Sequence, residues 1–108
     1  LDGPYFQFFE GDVNDHSSFV EFVKAVHEKN EITEVWHLAA NSDIPNGVKD
    51  AGIDLRDTFM TTFNVLKLMK EIGIKNIYFA SSSAIYGDLN GKILEENIGP
   101  LCPISNYG

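Results

Sequence analysis

Residues 77–87 read Ile77-Tyr78-Phe79-Ala80-Ser81-Ser82-Ser83-Ala84-Ile85-Tyr86-Gly87. A short apolar run delivers three hydroxyls in succession, which predicts a strand near 76–81 carrying Ser81, Ser82 and Ser83 at its carboxyl end. Hydroxyls in such a place can polarise a substrate oxygen. Tyr107 follows Ser82 by 25 residues and is the penultimate residue of the sequence.

Upstream, Tyr5-Phe6-Gln7-Phe8-Phe9 lies between Gly3-Pro4 and Gly11 and predicts a strand over 5–9. Asp15 or Ser17 then offers an N-cap, and Phe19, Phe22, Val23 and Val26 form one helical stripe, giving a helix over 16–29 that ends at Asn30. Glu34 to Ala40 predicts a buried strand leading into a polar loop over 41–47. A longer helix is expected from Ile53 to Ile72, with Leu55, Phe59, Phe63, Leu66 and Met69 on its apolar face and Gly73 as its stop. Residues 88–105, with Pro100 and Pro103, read as irregular. Nearly all-apolar strands alternating with helices specify an α/β fold, part of a doubly wound parallel sheet with helices on both faces. Trp36 and the phenylalanines are expected in its core.

Composition bounds the function. The net charge of −8 over 108 residues argues against nucleic acid and against anionic membrane surfaces, which demand clustered Lys and Arg. No apolar run approaches the length of a membrane span, and residues 1–20 lack signal-peptide character. Cys102 is the single cysteine, so no internal disulfide forms, and a reducing cytoplasm is the expected compartment. His16, His27 and His37 have no metal-ligand spacing, so no metal is expected, and His37 reads as a packed core residue. Glu95-Glu96 reads as a solvated loop.

In doubly wound sheets, ligands bind beyond the carboxyl ends of the strands. Three predicted strands end there in small or polar residues: Gly11-Asp12-Val13, Ala39-Ala40-Asn41 and Ser81-Ser82-Ser83. Small residues let backbone approach a flat ligand closely, and Asp12 can accept from an exocyclic amine. Each has a plainer reading: an Asx turn at Asp12, tight helix–sheet packing at Ala39-Ala40, a capping loop at the serines. One shared pocket explains all three at once.

Five stretches, in order, extend the reading. Gly11-Asp12-Val13, His37-Leu38-Ala39-Ala40, Thr61-Thr62-Phe63-Asn64-Val65-Leu66, Ala80 to Asp88 and Pro103-Ile104-Ser105-Asn106-Tyr107-Gly108 resemble elements of the NAD-dependent sugar-nucleotide epimerases and dehydratases. These are extended short-chain dehydrogenase/reductases with a Rossmann-type domain. The resemblance covers nearly the whole chain. It implies NAD as cofactor, with Asp12, Val13, Leu38, Ala39, Ala40, Thr58 and Ser81 binding it. It implies Ser82 and Tyr107 as the catalytic pair, and Ser42, Asp43 and Ser83 as substrate contacts. Residues 1–108 would form the middle portion of a single NAD-binding domain, without the glycine-rich unit and the later substrate part. The family's lysine would fall at position 111, and the 108 residues by themselves are expected to be inactive.

Two departures bear on the reaction. Thr58 stands where many members carry asparagine. Ser83-Ala84 stands where 4,6-dehydratases place an acidic pair, so the acid that expels water from the sugar is missing. Epimerisation is therefore favoured, and Leu38 to Asp43 is similar to UDP-glucose 4-epimerase-like bacterial sequences. The resemblance then implies reversible hydride exchange at C4 of a nucleotide sugar, with Tyr107 as base and Ser82 holding the same oxygen. It also implies a homodimer. Ser82, not Ser81 or Ser83, fits the family register, and alternating strand side chains would set it apart from its neighbours. The alternatives are a nucleotide-sugar dehydratase or reductase, a 3β-hydroxysteroid-type dehydrogenase, and a non-catalytic NAD(P)-sensing or scaffold protein. The Ser and Tyr pair speaks against the last.

Overall fold

The computed structural model describes residues 3 and 5–108. Helix α1 (His16–Lys29) precedes strand β1 (Glu34–His37). Two short helices follow, α2 (Ile44–Lys49) and α3 (Ala51–Asp54), then a π-helical turn (Leu55–Met60), helix α4 (Thr61–Ile72), strand β2 (Asn76–Phe79) and a 3-10 turn (Ser83–Tyr86). The strands pair in parallel, Glu34 opposite Asn76 and His37 opposite Phe79. One more hydrogen bond, Ala80 N–H to His37 O at 3.2 Å, carries the pairing past the strand ends. A parallel pair joined by a helical crossover is the unit from which doubly wound α/β sheets are built.

Alternation along the strands sorts their side chains. Val35 and Ile77 turn towards the helices, where Val65, Met69 and Ile74 are buried and Phe19, Ile32 and Ile72 pack around them. Both long helices thus cover the same face. Trp36 points the other way and stays 64 % exposed, its ring stacked on Tyr78 with centroids 4.4 Å apart. The expectation of a core Trp36 is therefore corrected: its strand position puts it on the face that no described helix covers. Several phenylalanines, among them Phe59, Phe63 and Phe79, are likewise exposed.

The expected strand over 5–9 does not form. Among the described residues this stretch has only an isolated antiparallel bridge between Gly3 and Phe6, and Pro4 lies outside the described residues. Strand propensity expresses itself only beside a ladder partner, and β1 hydrogen-bonds β2. Where a doubly wound sheet reverses, consecutive strands are not neighbours, so β1 is not the natural partner of this segment. Phe9 instead stacks on Phe22 of α1, centroids 4.3 Å apart.

The loop over 41–47 is also shorter than expected. Asp43 accepts from Asn46 N–H at 3.1 Å and caps α2, a role that Asp before an Ile-Pro start fills well. In the long helical segment the buried face is Thr61, Asn64, Val65, Leu68 and Met69, and of the expected stripe only Met69 belongs to it. Leu55, Phe59, Phe63 and Leu66 are exposed. The π turn changes the register before α4. Thr61 and Thr62 hydroxyls bond back to Thr58 O, each at 2.9 Å, drawing on a carbonyl that a regular helix spends on its own ladder. Gly73 ends α4 in the left-handed region, φ 84°, as expected. No helix among the described residues is long and apolar enough to cross a membrane.

Two leucines of α4 give a matched test of this face. Leu68 is 3 % exposed and Leu66 is 48 % exposed. In urea denaturation of this chain as a monomer, Leu68→Ala should cost about 2–5 kcal/mol, whereas Leu66→Ala should stay within about 0.5 kcal/mol.

Candidate functional site

The end of β1, the π turn, the end of β2 and the last residues of the chain enclose a cavity of about 210 Å³. Leu38, Ala39 and Ala40 form one wall and Thr58 and Thr62 another, while Ser81, Ser82 and Tyr107 close it from the far side. Ladder pairing of β1 with β2 places Ala39-Ala40 beside Ser81-Ser82, as the parallel register requires. Asp12 and Val13 line a shallower, more open depression that shares Ala39 and Ala40 with the cavity. The small side chains of Ala39 and Ala40, just past β1, thus border two adjoining hollows, a shape suited to an extended flat ligand. Among the described residues, no Asp or Glu lines the cavity that holds Ser82 and Tyr107.

β2 stops at Phe79, so strand alternation does not reach the serines. Ser82 is nonetheless extended, φ −137° and ψ 149°, and caps the 3-10 turn. Its Oγ accepts from Ala84 N–H at 3.1 Å, which keeps the hydroxyl hydrogen for donation elsewhere. Ser83 begins the turn, is exposed, and lines neither hollow. Ser42 is exposed too, and Asp43 spends both carboxylate oxygens on Asn46.

Asp12 Oδ1 accepts from Asn14 N–H at 2.8 Å, an Asx turn of the kind its sequence context allows. Beside it, Asp57 makes a two-point contact with the Arg56 guanidinium at 2.6 and 2.7 Å. That hydrogen bond holds the Asp57 carboxyl below its ordinary value and raises Arg56.

Several positioning residues were not assigned from sequence. Asn64, buried in α4, donates to Val13 O at 3.3 Å and to Asn14 Oδ1 at 3.1 Å, tying the Asp12 turn to the helix. Asn41 N–H donates to Thr58 Oγ1 at 3.0 Å, fixing Thr58 against the end of β1. The available signal was polarity out of place: Asn64 sits among Val65, Leu68 and Met69 on the inward face, where a polar group needs a partner.

His37 is 4 % exposed, and its Nε2 lies 2.9 Å from Thr62 Oγ1. Because Thr62 gives its own hydrogen to Thr58 O, the network assigns the Nε2–H tautomer of a neutral ring. Burial lowers its pKa from the ordinary 6.5. The fold therefore favours the neutral ring, and this contribution is complete above the unfolded value and lost as pH falls from about 6.5 towards the folded-state pKa. Between about pH 7.5 and about pH 5.5, the native chain should lose more unfolding free energy than His37→Gln, which cannot titrate. Equal losses in paired denaturation curves would contradict this.

The profile of the NAD dependent epimerase/dehydratase family matches residues 2–108. UDP-glucose 4-epimerase of Lacticaseibacillus casei is 30 % identical over 105 residues, covering 97 % of this chain and 30 % of that protein. The UDP-Glc/GlcNAc 4-epimerase of Campylobacter jejuni superposes with a TM-score of 0.79 at 27 % identity, over 97 % of this chain and 30 % of that one. The Thermus thermophilus UDP-glucose 4-epimerase complex with NAD gives a TM-score of 0.78 at 29 % identity, over 98 % and 33 %. This chain thus spans about a third of the length of the proteins it matches.

Proposed function

Because the chain belongs to the NAD-dependent epimerase/dehydratase family, we propose that it is the central portion of a nucleotide-sugar 4-epimerase acting on a UDP-sugar. The observation that carries this reading is the cavity in which Ser82 and Tyr107 meet the small-residue end of β1. Ala39 and Ala40, with the Asp12 turn beyond them, are shaped to lie along NAD, and Leu38, Val13, Thr58 and Ser81 complete its surroundings. Bound NAD supplies a reversible hydride acceptor for the sugar C4. Tyr107 would hold or release the proton of the 4-hydroxyl at its Oη. Ser82, with Oγ already accepting from Ala84, would donate to the same oxygen and stabilise charge as it develops. Ser83-Ala84, standing where dehydratases place an acidic pair, favours epimerisation over dehydration, which needs an acid to expel water. Ser42, Asp43 and Ser83 stay as outer contacts for the sugar nucleotide.

In the whole protein, Ser82→Ala and Tyr107→Phe should each lower UDP-glucose/UDP-galactose interconversion by roughly 10²–10³-fold. NAD binding by calorimetry should be nearly unchanged in both. Ser83→Ala should do less, and a Ser83→Ala loss greater than that of Ser82→Ala would move the assignment by one residue.

The exposed stripe of Leu55, Phe59, Phe63 and Leu66 supports a homodimer. These large apolar side chains stay exposed in succession along the π turn and α4, and a second copy packed there would remove them from water. Phe63→Asp should convert the whole protein from dimer to monomer in sedimentation, and a monomeric native protein would overturn the assignment.

A further inference from the structure

Asp54 is a buried carboxylate that the proposed chemistry does not use. It is 5 % exposed, at the end of α3. Its Oδ1 accepts from Asn41 Nδ2 at 2.8 Å, and its Oδ2 is buried with no hydrogen-bond partner among the described residues. A half-satisfied buried carboxylate is destabilising relative to a packed apolar side chain.

Two contacts converge on it. On one side, Asn41 uses its remaining groups on the turn after β1, accepting from Asp43 N–H at 2.8 Å and donating its own backbone N–H to Thr58 Oγ1 at 3.0 Å. On the other, the carboxylate lies flat against Gly47 of α2. A Cβ at position 47 would overlap Asp54 Oδ2 and press on its Cγ, so the requirement for glycine here is close approach. The carbonyl of Gly47 in turn accepts from Asn106 Nδ2 at 3.1 Å. Asn106 is the residue before Tyr107, separated from Gly47 by 59 positions in sequence. Among the described residues, this is the hydrogen bond that ties the Tyr107 segment to α2.

We propose that Asp54 is a positioning residue for Tyr107: it seats Gly47 and the Asn41 turn as one unit, and Gly47 O then clamps Asn106 and so sets where Tyr107 stands in the cavity. This rests on the reading of Tyr107 as the group that handles the substrate proton. The buried carboxylate holds both ends of the loop–helix unit at once, which an apolar side chain of similar size cannot do because it accepts nothing from Asn41. Displacing a reacting group by about an ångström is enough to lower turnover by up to about 10²-fold.

The test uses the whole protein with ¹³C-labelled tyrosine, the Tyr107 signal being identified by its loss in Tyr107→Phe. Without substrate, that signal should move in Asn106→Ala, Gly47→Ala and Asp54→Leu, which accepts nothing from Asn41. With UDP-glucose as probe, kcat should fall about 10-fold or more in each, with KM within about twofold. The Asn106→Ala/Asp54→Leu double variant should be no worse than the poorer single one, because both break the same clamp. Asn106 is exposed, so Asn106→Ala keeps the fold even where a buried change does not. An unmoved Tyr107 signal in Asn106→Ala, or losses that multiply in the double variant, would overturn the clamp. Turnover persisting in Tyr107→Phe would instead overturn the catalytic reading beneath it.

Discussion

Parallel pairing of β1 with β2 sets the position of everything else in this structure. With Glu34 opposite Asn76 and His37 opposite Phe79, the strands end level, and the two segments that leave them emerge side by side. Ala39-Ala40 therefore faces Ser81-Ser82 across the mouth of the sheet. A slip of β2 by one residue would turn Ile77 out of the helical layer and Tyr78 into it. Burial of the small apolar cluster around Val65, Met69 and Ile74 is what opposes that slip, so the same packing that holds the fold also aligns the site.

Hydroxyl and amide groups do the finer placement. His37, Thr62 and Thr58 form a chain of bonds from the strand into the π turn, and Asn41 closes it from the loop side. Such side-chain bonds compete with the helical ladder, and the π turn is where that competition falls. It brings Thr58 onto the cavity wall and at the same time turns Leu55, Phe59 and Phe63 outward. Packing, irregular helix geometry and the shape of the site are thus one arrangement.

Much of this was legible from residue order. The α1 stripe, the helix stop at Gly73 and both strands of the sheet follow from periodicity and glycine placement; the strand-end rule brings Ala39-Ala40 towards the serines, and only the family resemblance pointed to Tyr107. Three features were not. Tyr5 to Phe9 has strand composition, but a strand needs a neighbour, and propensity carries no information about whether one is present. The apolar face of the long helix was misassigned because a regular helical period was applied across Leu55–Met60, where the structure has a π turn. The roles of Asn41, Asp54, Asn64 and Asn106 depend on contacts between residues far apart in sequence, such as Asn106 with Gly47. Local pattern cannot reveal these until the fold has brought them together.

The most direct measurement is a crystal structure of the whole protein with NAD and a UDP-sugar bound. The account predicts NAD lying along Ala39-Ala40 with its adenine end at the Asp12 turn. It also predicts the sugar 4-hydroxyl within hydrogen-bond reach, about 2.6–3.2 Å, of both Ser82 Oγ and Tyr107 Oη. A sugar held by Ser83 and away from Tyr107, or a cofactor outside the Ala39-Ala40 wall, would contradict it.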